Sequence, residues 1–184
     1  MKMLLLTCVI AAVSMTGLPL MAAALYDIPL KDIDGKEASL KAYSGKVLLI
    51  VNVASQCGYT RQYKGLEAVH RQYQQKGFTV LGFPSNDFGG QEPGSLAEIK
   101  EFCSSKFNVT FPMFDKVGVK PGAAQHPLYA ALTGKDSPVP GEVKWNFGKF
   151  LIGRDGKILA RFASADEPDG DKLTKAIEAA LAAK

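Results

Sequence analysis

One cysteine, Cys57, stands where an apolar run gives way to a segment whose apolar residues recur at helical spacing. The run is VLLIVNV at 47–53, which is typical of a strand buried on both faces, and residues 60–75 follow as a predicted helix. The unpaired N–H groups and positive dipole end of a helix N-terminus favour a thiolate placed before them. A thiolate can attack a peroxide or a disulfide, so Cys57 is a candidate nucleophile. The alternative is a buried structural cysteine, but Gln56 and Gly58 place Cys57 outside the apolar pattern.

The chain has no second cysteine close to Cys57. Residues 57–60 read CGYT, without the Cys-x-x-Cys spacing of a dithiol oxidoreductase, which argues against a disulfide isomerase or an ordinary thioredoxin. An oxidised Cys57 must therefore be resolved by a group from elsewhere. Cys103, on a predicted helix over 95–107, is the candidate in the chain, and a core position beside Phe102 is its alternative role.

The elements around these cysteines predict an α/β fold. The strand at 47–53, the helix at 60–75 and a second buried strand at 78–83 form a β-α-β unit, which we expect to be a right-handed parallel crossover. Further along the chain, Ser95 is followed three residues later by Glu98. This spacing is a capping box and predicts the start of the next helix.

Two further patterns complete the order of elements. Asp-Gly at 155–156, between apolar runs at 150–152 and 158–162, predicts a β-hairpin. An apolar stripe over 173–181 predicts a closing helix. The order β-α-β, helix, hairpin, helix is that of a thioredoxin-like fold, in which helices flank a central mixed sheet.

Three long motifs in this chain resemble those of the glutathione peroxidases. They are NVASQCGYT at 52–60, LGFPSNDFGGQEPG at 81–94 and WNFGKFL at 145–151, and the likeness extends from Tyr26 to Leu181. The resemblance implies a thioredoxin-like peroxidase. Such an enzyme reduces hydrogen peroxide and organic or lipid hydroperoxides to water or alcohols, in antioxidant defence, with a thiol reductant as co-substrate and no other cofactor.

The resemblance also implies roles for four residues. Cys57 would be the peroxidatic nucleophile that becomes a sulfenic acid, and Gln91, Trp145 and Asn146 would complete the family's catalytic tetrad. An amide and an indole N–H donate hydrogen bonds without titrating near neutral pH. They can therefore stabilise both a thiolate and the departing oxygen.

The same resemblance implies a route of regeneration. Cys103, ahead of VTFP at 109–112, resembles the resolving cysteine of two-cysteine members, which form an intramolecular disulfide that thioredoxin reduces; glutathione is the alternative reductant. Residues 125–142 are short beside those of the tetrameric members, which implies a monomer or loose dimer whose site admits bulky lipid hydroperoxides. Ser85 stands in place of a frequent family cysteine. Asp87 replaces the family's usual glutamine, and its carboxylate would disfavour the thiolate if it faced the site.

Composition and charge narrow the class further. A chain of 184 residues with 47% hydrophobic residues suits one domain, and a net charge of +4 is too small and scattered for nucleic-acid binding. The sequence has no metal-ligand spacing and no phosphate-binding glycine loop, so we expect neither metal nor nucleotide. The alternative function is a hydroperoxide sensor that passes its disulfide to a client protein. A non-catalytic domain with a static Cys57–Cys103 disulfide is a further alternative, and the intact tetrad disfavours it.

Residues 1–24 predict a cleaved signal peptide. Lys2 precedes an apolar run, and AAA at 22–24 fits a small-x-small cleavage site. The run is interrupted before Pro19 and falls short of the ~20 residues that a membrane span needs, so we expect no stable membrane insertion. Residues 25–184 would then form an exported domain, periplasmic or secreted, with two cysteines in an oxidising compartment and a locally supplied electron donor.

Overall fold

A computed structural model describes residues 25–183 of the chain. The predicted signal peptide lies outside the described residues, and its removal stays a prediction. The strands of the described part are β1 (Pro29–Lys31), β2 (Glu37–Ser39), β3 (Val47–Val53), β4 (Phe78–Pro84), β5 (Lys149–Ile152) and β6 (Ile158–Phe162). The α-helices are α1 (Gln62–Tyr73), α2 (Leu96–Phe107), α3 (Pro127–Thr133) and α4 (Asp171–Ala182).

A mixed four-stranded sheet in the order β4-β3-β5-β6 forms the centre of the molecule. β3 pairs parallel with β4 and antiparallel with β5, and β5 pairs antiparallel with β6. The predicted β-α-β unit and the Asp-Gly hairpin are therefore confirmed, as is the α/β class with helices flanking a mixed sheet. A separate two-stranded ribbon, β1 with β2, precedes this sheet. The sequence analysis did not predict that ribbon, because each of its strands has only three residues.

The side chains of β3 alternate between two cores, one on each face of the sheet. Leu49 and Val51 pack on one face, in a cluster that also contains Leu66 of α1. Leu48 and Ile50 pack on the other face, in the cluster formed around α3. Every residue of β3 is buried, as the continuous apolar run predicts. Because both faces of this strand are covered, the loop that follows it starts from a rigid position.

The local signals set most helix ends as expected. The Ser95 side chain accepts a hydrogen bond from the Glu98 N–H, and the Glu98 carboxylate accepts one from the Ser95 N–H, so the capping box is confirmed. Gly77 adopts a left-handed conformation with φ +86° at the end of the 3-10 turn that extends α1. Within residues 25–183, no helix is both long and apolar enough to cross a bilayer.

Candidate active site

The loop after β3 holds Cys57 in a closed turn before α1. The Thr60 hydroxyl accepts a hydrogen bond from the Cys57 N–H at 2.9 Å and donates one to the Ala54 carbonyl at 2.8 Å. The Tyr59 N–H donates to Cys57 Sγ at 3.4 Å, so a backbone dipole points at the sulfur. The thiol is free and only 9% of Cys57 is exposed.

Two expectations about Cys57 need correction. α1 begins at Gln62 with Arg61 as its N-cap, and not at Thr60, so the turn at 57–60 separates the cysteine from the helix end. The N–H that reaches the sulfur therefore belongs to this turn. Cys57 also packs within the apolar cluster on the α1 face of the sheet, although its sequence neighbours are polar or small. The turn folds the side chain inward, which the linear pattern does not indicate.

Two of the predicted tetrad residues are in direct contact. Asn146 is fully buried, and its amide nitrogen donates to Gln91 Oε1 at 3.1 Å. Since Gln91 Oε1 accepts this bond, the Gln91 NH2 group is left as a donor for another partner. The backbone carbonyl of Gln91 accepts from the Gln56 N–H at 3.0 Å. Gln91 is thereby joined both to Asn146 and to the residue that precedes Cys57.

Trp145 lies at the surface of this group. Its side chain is 39% exposed, and its ring centroid lies 5.8 Å from that of Phe88. The Asn52 side chain donates to the Trp145 carbonyl at 3.2 Å, and the Phe147 N–H donates to the Asn52 carbonyl at 2.6 Å. The end of β3 therefore fixes both the loop that carries Cys57 and the segment that carries Trp145 and Asn146.

The Asp87 side chain, which replaces the family's usual glutamine, binds the backbone of a distant segment. Its carboxylate accepts hydrogen bonds from the backbone N–H groups of Val119 at 2.6 Å and Lys120 at 2.9 Å. Through these two hydrogen bonds the Asp87 side chain anchors the backbone of residues 119–120. Ser85 is buried, and its hydroxyl accepts from the Asp87 N–H at 3.4 Å.

Cys103 lies on α2 and is a free thiol with 2% of the residue exposed. Burial raises the pKa of this thiol to about 11; the neighbouring Glu92 adds to the increase, and Tyr63 partly opposes it. Cys57 and Cys103 belong to the same apolar cluster. The site of Cys103 fits a core position in the reduced protein, and its role in resolution stays a prediction.

Three buried polar residues near the site were not predicted from the sequence: Asn52, Glu92 and Lys149. Each is fully buried. A signal existed for two of them, because Asn52 is the one polar residue in the run VLLIVNV and Lys149 is a charge at the start of a buried strand. Glu92 directly follows Gln91, but nothing in the sequence indicates that its side chain is buried.

Lys149 holds the backbone of the Trp145 segment with a buried charge. Its ammonium group donates to the Phe147 carbonyl at 2.8 Å and, more weakly, to the carbonyls of Ala163 and Ser164 at 3.3 and 3.4 Å. Phe147 has a left-handed conformation with φ +63°, which is rare for a residue with a side chain. The hydrogen bond from Lys149 stabilises this peptide and so orients the two residues before it.

We expect Lys149→Met to change the pH dependence of stability. Burial lowers the pKa of Lys149 to about 8, against 10.5 for a free lysine. Between these values the unfolded chain binds more protons than the native one, so this group makes unfolding costlier as the pH rises from about 8 to 10.5. Across this pH window, Lys149 therefore adds about 3 kcal/mol to the free energy of unfolding of the wild type.

Urea unfolding of the wild type and of Lys149→Met at pH 7 to 10.5 checks this expectation. The difference in free energy of unfolding between them should grow in favour of the wild type across that window. Lys175→Met, which replaces an exposed lysine, serves as the control and should follow the wild type. Parallel curves for the wild type and Lys149→Met would show that the buried ammonium does not titrate there.

The fold and the site together define a class of protein. A mixed four-stranded sheet flanked by helices, with a cysteine in the loop that follows a central strand, is a thioredoxin-like fold. The glutathione peroxidase family model matches residues 25–133. The chain belongs to the glutathione peroxidase family and is a thiol-dependent peroxidase.

Individual relatives are similar in sequence to this protein over most of its length. A hydroperoxy fatty acid reductase, gpx1, of Synechocystis sp. is 49% identical over 79% of this chain and 89% of its own length. The thioredoxin/glutathione peroxidase BtuE of Escherichia coli is 43% identical over 83% of this chain and 94% of its own. The crystal structure of Trgpx in apo form is 40% identical, with a TM-score of 0.67, and covers 86% of this chain and 95% of its own.

Proposed function

We propose that the chain reduces hydroperoxides through Cys57, with Gln91, Trp145 and Asn146 as the groups that stabilise the reacting atoms. The observation that carries this assignment is the hydrogen bond between Asn146 and Gln91, which orients the Gln91 NH2 group as a free donor. The backbone bond from Gln56 joins this pair to the loop of the nucleophile. The tetrad roles rest on the motifs, and these contacts support them.

The first chemical step needs only a thiolate and hydrogen-bond donors. The Cys57 sulfur attacks one oxygen of the peroxide, the O–O bond breaks, and its electron pair leaves with the other oxygen as an alkoxide or hydroxide. That oxygen takes up a proton and departs as an alcohol or water, while Cys57 is oxidised to a sulfenic acid. Side-chain N–H groups of Gln91 and Trp145 would stabilise the developing negative charge.

A cavity lined by Tyr59, two residues after Cys57, supports the proposal of an amphipathic substrate. It has a volume of about 510 Å³ and lies between Tyr59 and the strand β6. Its lining includes the cationic side chains of Lys144, Arg161 and Lys172, of which Lys172 is paired with Asp166 at 2.8 Å. Lys144 is paired with Glu142 at 3.7 Å, whereas Arg161 donates only to the backbone carbonyls of Gly141 and Glu142 among the described residues. The positive charge of Arg161 beside an apolar wall suits the carboxylate of a fatty acid hydroperoxide. The name of the cyanobacterial relative agrees with this choice.

We propose that Cys103 resolves the sulfenic acid as an intramolecular disulfide. A thioredoxin-type dithiol would then reduce this disulfide, with glutathione as the alternative reductant. The name of the Escherichia coli relative includes both thioredoxin and glutathione, and a yeast relative with 45% identity is described as a glutathione peroxidase-like peroxiredoxin. We further propose that the mature chain acts after export, as a monomer or loose dimer.

Disulfide mapping tests the regeneration step. After one equivalent of hydroperoxide, the wild type should lose both thiols and yield a Cys57–Cys103 cross-linked peptide. In Cys103→Ala, thioredoxin-driven turnover should fall by at least about tenfold, because no disulfide forms for the dithiol to attack. Ser104→Ala, which changes an exposed neighbour on α2, should behave as the wild type.

Other outcomes of the same experiment would change the role assigned to Cys103 or the identity of the reductant. If the oxidised wild type keeps a free Cys103 and glutathione sustains turnover, Cys103 is a packing residue and glutathione is the reductant. If the disulfide forms but neither thioredoxin nor glutathione sustains turnover, the protein fits a sensor that needs a specific client.

A further inference from the structure

A buried carboxyl group lies next to the tetrad without a structural partner. Glu92 has no exposed surface, and among residues 25–183 neither of its carboxyl oxygens makes a hydrogen bond of normal geometry, although Ser55 lies close enough to lower its pKa. Its backbone is fixed, because the Glu92 N–H donates to Asn86 Oδ1 at 2.8 Å. A carboxyl group removed from water without hydrogen bonds destabilises a fold. A group kept in such a position calls for a chemical role.

The cavity that Glu92 lines is also lined by residues of both cysteine-bearing segments. It has a volume of about 430 Å³, and one wall is formed by Ser55 and Gln56, directly before Cys57. The lining also includes Ile99 and Phe102 of α2, the helix that carries Cys103. Glu92 therefore shares a cavity with both segments that must approach each other in resolution, and it lies close enough to Cys103 to influence the pKa of that thiol.

The charges around this cavity make Cys103 dependent on a proton acceptor. The Cys103 thiol has a pKa of about 11, because it is buried and Glu92 opposes a second negative charge. Burial raises the pKa of Glu92 itself, and Ser55 and Lys116 only partly offset this increase. Tyr63, the other titratable group beside Cys103, has its pKa raised far above its usual value and stays protonated. Glu92 is thus the carboxyl group beside the thiol, and its raised pKa makes its carboxylate a stronger base than an ordinary one.

We propose that Glu92 is the proton acceptor for the Cys103 thiol during disulfide formation. The inference rests on the proposed resolving role of Cys103. The Cys103 sulfur forms a bond to the Cys57 sulfur, and the Cys57 S–O bond breaks with its electron pair on the departing hydroxide. Glu92 takes the proton from Cys103 and passes it to this hydroxide, which leaves as water. The Cys103 sulfur is oxidised, the Cys57 sulfur is reduced, and Glu92 returns to its starting state.

Rapid quenching can separate the two steps in wild type and Glu92→Gln. Mass spectrometry at each time point follows sulfenic acid at Cys57 and then the Cys57–Cys103 disulfide. In Glu92→Gln the sulfenic acid should form at the wild-type rate, and the disulfide should form about 10²-fold more slowly at pH 7. The deficit should shrink as the pH rises towards 11, because Cys103 then ionises without an acceptor.

Two further variants make the result specific. Glu98→Gln carries the same change at an exposed carboxylate on the same cavity, and glutamine preserves the capping box, so its disulfide rate should equal that of the wild type. Glu92→Asp keeps a carboxyl group and should recover part of the rate. It also serves as the test if Glu92→Gln does not fold.

Each contrary result has a distinct meaning. Equal disulfide rates in Glu92→Gln and the wild type overturn the inference and leave the proposed function intact. Equal slowing of both steps, or equal slowing at every pH, shows a structural role and also overturns it. If the wild type forms no Cys57–Cys103 disulfide, the resolving role of Cys103 fails and the inference fails with it.

Discussion

Replacing Cys57 by serine is expected to abolish peroxidase activity while the fold is retained. A serine hydroxyl is protonated at neutral pH and is a far weaker nucleophile than a thiolate, so the rate of peroxide consumption should fall by at least about 10³-fold. The side chain is nearly isosteric, and the Thr60 hydroxyl bonds the backbone N–H of residue 57, which the substitution does not alter. The measurement is single-turnover consumption of hydrogen peroxide by the reduced protein.

Cys103→Ser is the matched control for that result. It removes the other thiol of the described chain and should consume one equivalent of peroxide as fast as the wild type, because resolution comes after the first step. The assignment of the nucleophile would be wrong if Cys57→Ser kept most of its activity. It would also be wrong if the two variants lost activity equally in the first turnover.

Gln91→Ala should slow the oxidation of Cys57 by about 10²-fold. Loss of one preorganised donor to a developing oxyanion typically has an effect of this size. The variant also removes the acceptor of the Asn146 amide, whose remaining contact is a 3.5 Å bond to the Phe88 carbonyl. Trp145 is the single tryptophan of the chain, so stopped-flow fluorescence during peroxide addition reports on this site.

A second substitution separates the two roles of Gln91. Gln91→Glu keeps an oxygen that can accept from Asn146 but loses the free NH2 donor, so it should be as slow as Gln91→Ala. Gln75→Ala, at an exposed position after α1, should leave the rate unchanged. Recovery of the rate in Gln91→Glu would mean that Gln91 acts only by positioning Asn146.

The elements with strong local signals could be predicted from the sequence. The buried run at 47–53, the capping box of Ser95 and the Asp-Gly hairpin each depend on residues that are close in the chain. The four-stranded sheet follows from these elements by general rules of connection. The β1–β2 ribbon was missed, since its strands are too short to show a periodic pattern.

The geometry of the site could not be predicted in the same way, because distant contacts form it. The bond from Asn52 to the Trp145 carbonyl joins residues 93 positions apart, and the one from Asn146 to Gln91 joins residues 55 apart. The direction of the Asp87 carboxylate likewise depends on backbone groups that lie more than thirty residues on. Motif resemblance supplied the tetrad candidates, and only the structure gives their contacts.

Buried charge is the property on which the sequence was least informative. Glu92 and Lys149 are charged residue types that are usually exposed, and both are fully buried beside the motifs that carry the chemistry. No local pattern indicates the burial of Glu92, whereas Lys149 stands at the start of a strand whose residues are all buried. Both residues lie within the motifs at 81–94 and 145–151, but neither is among the four to which the resemblance gives a role.

The central claim is that hydroperoxide oxidises the sulfur of Cys57, and one measurement tests this claim directly. Reduced Cys103→Ser is mixed with one equivalent of hydroperoxide, quenched with dimedone and analysed by peptide mass spectrometry. We predict one dimedone adduct per chain, on the peptide that contains Cys57, and loss of one equivalent of peroxide. Consumption of the peroxide with an unmodified Cys57 thiol, or with oxidation only at other residues, would contradict the account.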